Sequence, residues 1–218
     1  MQCLKIYFLA GMVVTMFAVN QAAANLFADP GFESPITSDG PPFVGSWEGF
    51  AGGGVSSAAN SGVMPHSGAM HVDLSLSTTN TFAGVFQDIP NLTPGSTATF
   101  GVWHMTPSSP LDLGVEIRIE WRNSVSNTEV SRTPNSTPVP TSQYTPFSLM
   151  AVVPAGADTA RAVYAIQSFS TNPLGNGTVF IDDFSFVVPE PAALALVGLG
   201  GLGLAGGLRR RRVRKLER

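Results

Sequence analysis

Gly114-Val115-Glu116-Ile117-Arg118-Ile119-Glu120-Trp121-Arg122 is the stretch from which the fold of this chain is read. Val115, Ile117, Ile119 and Trp121 fall on one side; Glu116, Arg118, Glu120 and Arg122 fall on the other. Side chains along a strand alternate between faces, so this two-residue period predicts a strand with one face in a core and a charged row outside. Trp121, on the apolar side, is assigned to core packing rather than to a ligand. The charged row reads as a solvated, salt-bridging face.

Working outward, the same alternation predicts strands over Met70–Leu76, Thr81–Ile89, Ala98–Met105, Tyr144–Val153, Ala160–Phe169 and Thr178–Val188. Asn91-Leu92-Thr93-Pro94-Gly95 supplies a turn between two of them. Residues 133–146 hold four prolines and read as a long exposed loop. No long helical period and no internal repeat is visible between residues 25 and 188, which excludes solenoids and propellers. About eight short antiparallel strands separated by Gly, Pro, Ser and Thr predict an all-β jelly-roll β-sandwich of residues 25–188.

Charge is distributed unevenly. Seven of the twelve basic residues lie in the last ten positions, and Lys5 lies near the start. Between Asn25 and Val188 there are four arginines against thirteen acidic residues, a net −9. Such a body excludes nucleic acid as a partner, which requires a basic footprint, and favours solubility and cation binding. Residues 1–24 read as a secretory signal peptide. Lys5 charges the n-region, Ile6–Val19 forms the apolar stretch, and Ala22-Ala23-Ala24 sets cleavage between Ala24 and Asn25. The single cysteine, Cys3, lies inside that segment, so the mature body has no disulfide.

The other end has three parts in order. Pro189-Glu190-Pro191 is followed by the uncharged span 192–208, containing six glycines, and then by Arg209-Arg210-Arg211-Arg212. Seventeen helical residues rise about 26 Å, close to the thickness of a bilayer core. Arginines that stop such a span stay on the cytoplasmic side, so the run acts as a stop-transfer signal. This tail resembles the PEP-CTERM sorting signal. The resemblance implies a Gram-negative bacterium and processing by the membrane protease-transpeptidase exosortase. It further implies anchoring in the inner membrane in transit, then delivery to the cell surface or an exopolysaccharide or biofilm matrix.

The body is similar to galactose-binding-like and carbohydrate-binding-module jelly rolls. The similar pieces are Asn25 through Gly31-Phe32-Glu33, Trp47, His66-Ser67-Gly68, Leu92-Thr93-Pro94-Gly95, Val153-Pro154-Ala155-Gly156-Ala157 and Phe180-Ile181-Asp182-Asp183-Phe184. Asp29-Pro30 departs from the usual opening. The resemblance implies a structural Ca2+ joining the first and last strands through Glu33 and Asp182. Alternation independently places Asp182 on the core face with Phe180, Phe184 and Phe186, with Asp183 outward. A carboxylate there needs a cation or donors, and a turn cap or an arginine partner is the plainer alternative to calcium.

For a glycan, Trp47 in its glycine-flanked loop is the expected contact, since Trp103 and Trp121 sit among apolar strand neighbours. No nucleophile elbow, zinc motif or phosphate loop is present, and Glu116 with Glu120 reads as salt-bridged rather than as a glycosidase pair. The reading is therefore a non-enzymatic surface or matrix protein. A glycan-binding module is the alternative, a glycoside hydrolase the more distant one. Aromatic side chains exposed on the concave sheet would favour the glycan-binding alternative, and a concave face of small polar residues the matrix reading.

Overall fold

The computed structural model describes residues 24–53, 56–108, 111–169 and 175–189. The signal-peptide stretch before Ala24, and Glu190, Pro191, the span 192–208 and the arginine run, lie outside the described residues. Among the described residues there is no helix long and apolar enough to cross a membrane.

Among the described residues ten strands are formed: β1 (Glu48–Ala51), β2 (Ser56–Ser61), β3 (His71–Ser77), β4 (Phe82–Ile89), β5 (Thr97–Met105), β6 (Gly114–Asn123), β7 (Thr128–Arg132), β8 (Thr145–Val152), β9 (Thr159–Gln167) and β10 (Asn176–Val187). They make two antiparallel five-stranded sheets, ordered β1-β4-β9-β6-β7 and β2-β3-β10-β5-β8. The all-β sandwich expected from alternation is observed. The three strands that alternation did not predict are short, or carry no large apolar residue, or bury nothing. β2 reads Ser-Ser-Ala-Ala-Asn-Ser, and β7 is exposed along its whole length. The proline-bearing loop after β7 runs along β6, with reciprocal backbone bonds between Ile117 and Ser136 of 2.9 Å each.

In the first sheet the core takes Val115, Ile117, Ile119 and Trp121 of β6, as the opening stretch predicts. Ala83, Val85 and Ile89 of β4 and Ala160, Ala162, Tyr164 and Ile166 of β9 complete that side. The second sheet contributes Val72, Leu74 and Leu76 of β3 and Ala98, Phe100 and Val102 of β5. One polar pair sits deep within. His104 Nδ1 and the Tyr164 hydroxyl lie 2.8 Å apart, both side chains buried. Burial without a charged partner lowers the His104 pKa to about 4.

The last strand departs from simple alternation. Its register against β5 shifts by one residue between Asp182 and Ser185, and Asp183 has φ 47°. This bulge puts Val179, Ile181, Phe184 and Phe186 in the core. Asp182 is therefore not on the core face with Phe184 and Phe186. It shares the opposite face with Phe180, whose ring packs on His71 at 4.5 Å. One inserted residue inverts the facing of everything on one side of it, which a strict two-residue period cannot anticipate.

The N-terminal segment is tied to this strand. Asn25 accepts from Phe186 N at 2.9 Å and donates to Phe184 O at 2.9 Å, and Leu26 N donates to Phe186 O at 2.8 Å. Phe27, Phe32 and Trp47 then pack on Phe184, with ring centroids 5.9, 5.1 and 5.0 Å away. Phe184→Ala is expected to lower stability by about 3–5 kcal/mol, because it empties the centre of this cluster. Val125→Ser, at a position 93% exposed, should stay within about 0.5 kcal/mol. Denaturant titration of the two variants measures the contrast.

Candidate functional site

The outer face of the first sheet is built in rows set by the strand register. Phe82, Gln167 and Gly114 form one row, and Phe50, Gly84, Ala165 and Glu116 the next. Phe86, Val163 and Arg118 follow, then Asp88, Arg161 and Glu120. Phenylalanines thus line most of the β1–β4 side and charges most of the β6 side, with Gln167, Ala165, Val163 and Arg161 of β9 between them. At Gly84 the Phe50 ring lies over the backbone where a side chain would stand, so glycine is required there.

The rings form a continuous ribbon. Phe43 to Phe86, Phe86 to Phe50, Phe50 to Phe82 and Phe82 to Phe169 have centroids 5.1, 6.2, 6.1 and 6.0 Å apart. Phe43, Phe82 and Phe169 are 38, 36 and 53% exposed, more than packing demands. The Arg161 guanidinium lies 3.9 Å from the Phe86 ring centroid and bonds Asp88 in a fork at 2.7 and 2.8 Å. On the β6 side, Arg118 bonds Glu120 at 2.9 Å and Glu116 at 3.5 Å, fixing both carboxylates. An apolar ribbon beside a fixed row of donors and acceptors suits a ligand with one apolar face and hydroxylated edges.

A second constellation lies on the other sheet, under the loop 64–70. Wholly buried Asp182 accepts from His66 N and Ser67 N through Oδ2, at 2.9 and 3.1 Å, and from Asp183 N through Oδ1 at 2.7 Å. Glu33 Oε1 accepts from Ala69 N at 2.9 Å, and a side chain at Gly68 would collide with that carboxylate. Asp183 is held by His66 Nδ1 at 2.6 Å and Ser67 Oγ at 2.7 Å. One point beside Gly31 lies 3.8 to 4.0 Å from an oxygen of each of Asp183, Asp182 and Glu33. Burial raises the Asp182 pKa to about 6.

The predicted pair Glu33 and Asp182 is thus brought together, and Asp183 joins it. The hydrogen bonds realise the turn-capping alternative, since backbone N–H groups of the loop point at Asp182. Among the described residues no three metal-ligating side chains are grouped closely enough to hold an ion. Backbone carbonyls would have to complete a calcium shell. Pro189 follows β10 after Val188 alone, and Asn25 is the residue that clamps β10.

Trp47 is a correction. It is 1% exposed, its Nε1 donates to Asp29 O at 2.7 Å, and it packs against Phe27, Phe32 and Phe184. No ligand reaches it, because the turn at Asp29–Phe32 folds the N-terminal segment over it. Trp103 also differs from its expected place in the core. It is half-buried on the outer face of β5, stacked under His66 at 4.2 Å, with Tyr144 beside His66 at 5.0 Å. Phe50, Phe82 and Phe86 were missed as site residues. Phe82, Gly84 and Phe86 do share a two-residue period in the sequence, which was the available signal.

Comparison with known proteins identifies the tail. Residues 187–212 carry a PEP-CTERM protein-sorting motif. Such a motif implies export and membrane anchoring in transit. No curated protein matches the chain in sequence. Among solved structures, the enzymatically active domain of tailspike protein 4 of bacteriophage CBA120 is similar at 17% identity and TM-score 0.54, covering 66% of this chain and 19% of that one. An arabinose-bound α-L-arabinofuranosidase is similar at 13% identity and TM-score 0.52, covering 77% of this chain and 27% of that one. The chain thus spans about a fifth to a quarter of these two, and the likeness is one of fold. A carbohydrate-binding module solved with β-1,4-galactotriose, TmCBM61, is similar at 15% identity and TM-score 0.48, covering 77% of this chain and all of that one.

Asp182 and His104 give opposite pH dependences, and His71, lowered by burial, acts in the same direction as His104. Asp182 is raised from 3.8 to about 6, so its contribution is fullest at low pH and is lost as pH rises through about 6. His104 is lowered from 6.5 to about 4, so its contribution is present above 6.5 and is lost as pH falls through about 4. In wild type the slopes oppose each other between pH 4 and 6. Asp182→Asn removes one of them, and unfolding free energy should then rise with pH across this window, by up to about 3 kcal/mol. Chemical denaturation at pH 4, 5 and 6 in chelator reads the slope.

Proposed function

We propose that this chain is an exported, exosortase-processed surface protein whose sandwich binds a glycan on the outer face of the first sheet, without catalysing a reaction on it. The observation that carries the reading is the ribbon Phe43–Phe86–Phe50–Phe82–Phe169, beside Glu116, Arg118 and Glu120 of the same sheet. Sugar rings present C–H faces to aromatic rings and hydroxyls to fixed carboxylates and guanidinium groups. The two carboxylates beside Arg118 are engaged with it, which suits hydrogen bonding better than acid–base chemistry. Delivery follows from the tail, and the ligand belongs to the cell-surface or exopolysaccharide matrix. A matrix protein with no glycan site is the competing reading; it leaves the exposed ribbon without a role.

A Ca2+ ion held by Glu33 and Asp182, with Asp183, belongs to the same proposal. Its support is that an oxygen of each of Glu33, Asp182 and Asp183 lies within 4.0 Å of one point beside Gly31, and that among the described residues no lysine or arginine is paired with these carboxylates. The ion would hold the N-terminal segment, the loop 64–70 and β10 together.

Glycan-array binding, followed by titration of the best ligand, tests the main reading. Phe86→Ala and Arg118→Ala should each weaken binding about tenfold or more, whereas Trp103→Ala on the other sheet should leave it unchanged. Silence of wild type on every glycan would return the protein to the matrix reading. For the ion, the melting temperature should fall in chelator and recover with calcium. Asp182→Asn should abolish that response, and an unchanged melting temperature would remove calcium from the account.

A further inference from the structure

The sorting motif and the fold share residues. The motif begins at Val187, and Val187 is itself paired with Thr99 of β5 as the last residue of β10. Only Val188 separates the strand from Pro189. The end of β10 is held on its other side by the chain's own N-terminal segment, through Leu26 N to Phe186 O and both polar atoms of the Asn25 side chain. Phe186 and Phe184 are also sunk in the core, 0 and 1% exposed. A protease needs a few residues of extended, unpaired chain on either side of the bond it cuts, and a bond set against a folded sheet is reached through local opening.

We propose that the Asn25–Leu26 clamp is a brake on C-terminal processing: exosortase gains access to the bond near Pro189 only when the end of β10, Phe186 to Val188, unpairs from β5 and from the N-terminal segment. The inference rests on the reading that exosortase cuts this tail. It makes the rate of release a property of the body as well as of the motif. It also places processing before the clamp closes, or during its transient openings. The clamp is built from Asn25 and Leu26, so the N-terminal segment of the body bears directly on the accessibility of its C-terminal end.

The test is pulse-chase of the full chain, expressed with exosortase, with loss of the tail scored by intact mass and signal-peptide removal scored separately. Asn25→Ala should speed tail removal about five- to tenfold, the factor carried by one or two lost hydrogen bonds. A four-residue Gly-Ser spacer between Val188 and Pro189 keeps the clamp intact and should speed it at least as much. Ile119→Val, in β6 and away from β10, should leave the rate unchanged, which separates the clamp from general destabilisation. If the spacer leaves the rate unchanged, the enzyme reads the tail beyond the folded body and the brake is overturned, whatever Asn25→Ala does. If the tail is never removed from any variant, including wild type, the processing reading itself fails.

Discussion

The structure depends on how Phe184 is surrounded. The bulge at Asp183 turns Phe184 into the core, where it meets Phe32 and Trp47 nearly edge-on, with interplanar angles of 81° and 88°. Those two rings come from outside the regular sheets, and Phe27 and Phe100 close the cluster. Edge-on contacts of this kind add stabilisation beyond buried area. Their consequence is topological: the irregular segment from Asn25 to Trp47, lacking the ladder bonds of a full strand, becomes part of the core. Gln87 holds the same segment by a pair of bonds to Ala28, at 2.7 and 2.9 Å.

The two outer faces have been put to different uses. On the first sheet, charges neutralise one another locally, as Arg161 with Asp88 and Arg118 with Glu116 and Glu120. The acidic excess is concentrated elsewhere, in part at Glu33, Asp182 and Asp183. The pairs on the first sheet are partly buried, with Glu120 itself buried, and they set the polarity of the face. On the second sheet the loop 64–70 lies over the strands and buries a carboxylate, which is tolerated because backbone N–H groups are aimed at it.

The strand pattern of β6 and the placement of Trp121 were legible because one face is uniformly apolar and the other uniformly charged. The proximity of Glu33 and Asp182 came from resemblance rather than from period. The facing of Asp182 was not legible, because a bulge leaves no mark in hydrophobic alternation; Asp183 in a left-handed conformation is an acidic residue like its neighbour until the backbone is seen. Trp47 was misread for a related reason. Flanking glycines marked a loop, but long-range packing buries it, and only the fold brings Phe27 and Phe32 to it. The phenylalanine ribbon spans β1, β4 and two loops, so no local window contains it.

The hydrogen bond between Leu26 and Phe186 also bears on how such a sandwich travels between proteins. A domain whose two ends lie side by side can be placed within a loop of a host chain without separating the points it interrupts. Similar sandwiches occupy only part of the tailspike and arabinofuranosidase chains. In the present chain the adjacency of Leu26 and Phe186 makes the opening of the body and the start of the sorting motif neighbours, so a change made at one border of the sandwich is felt at the other.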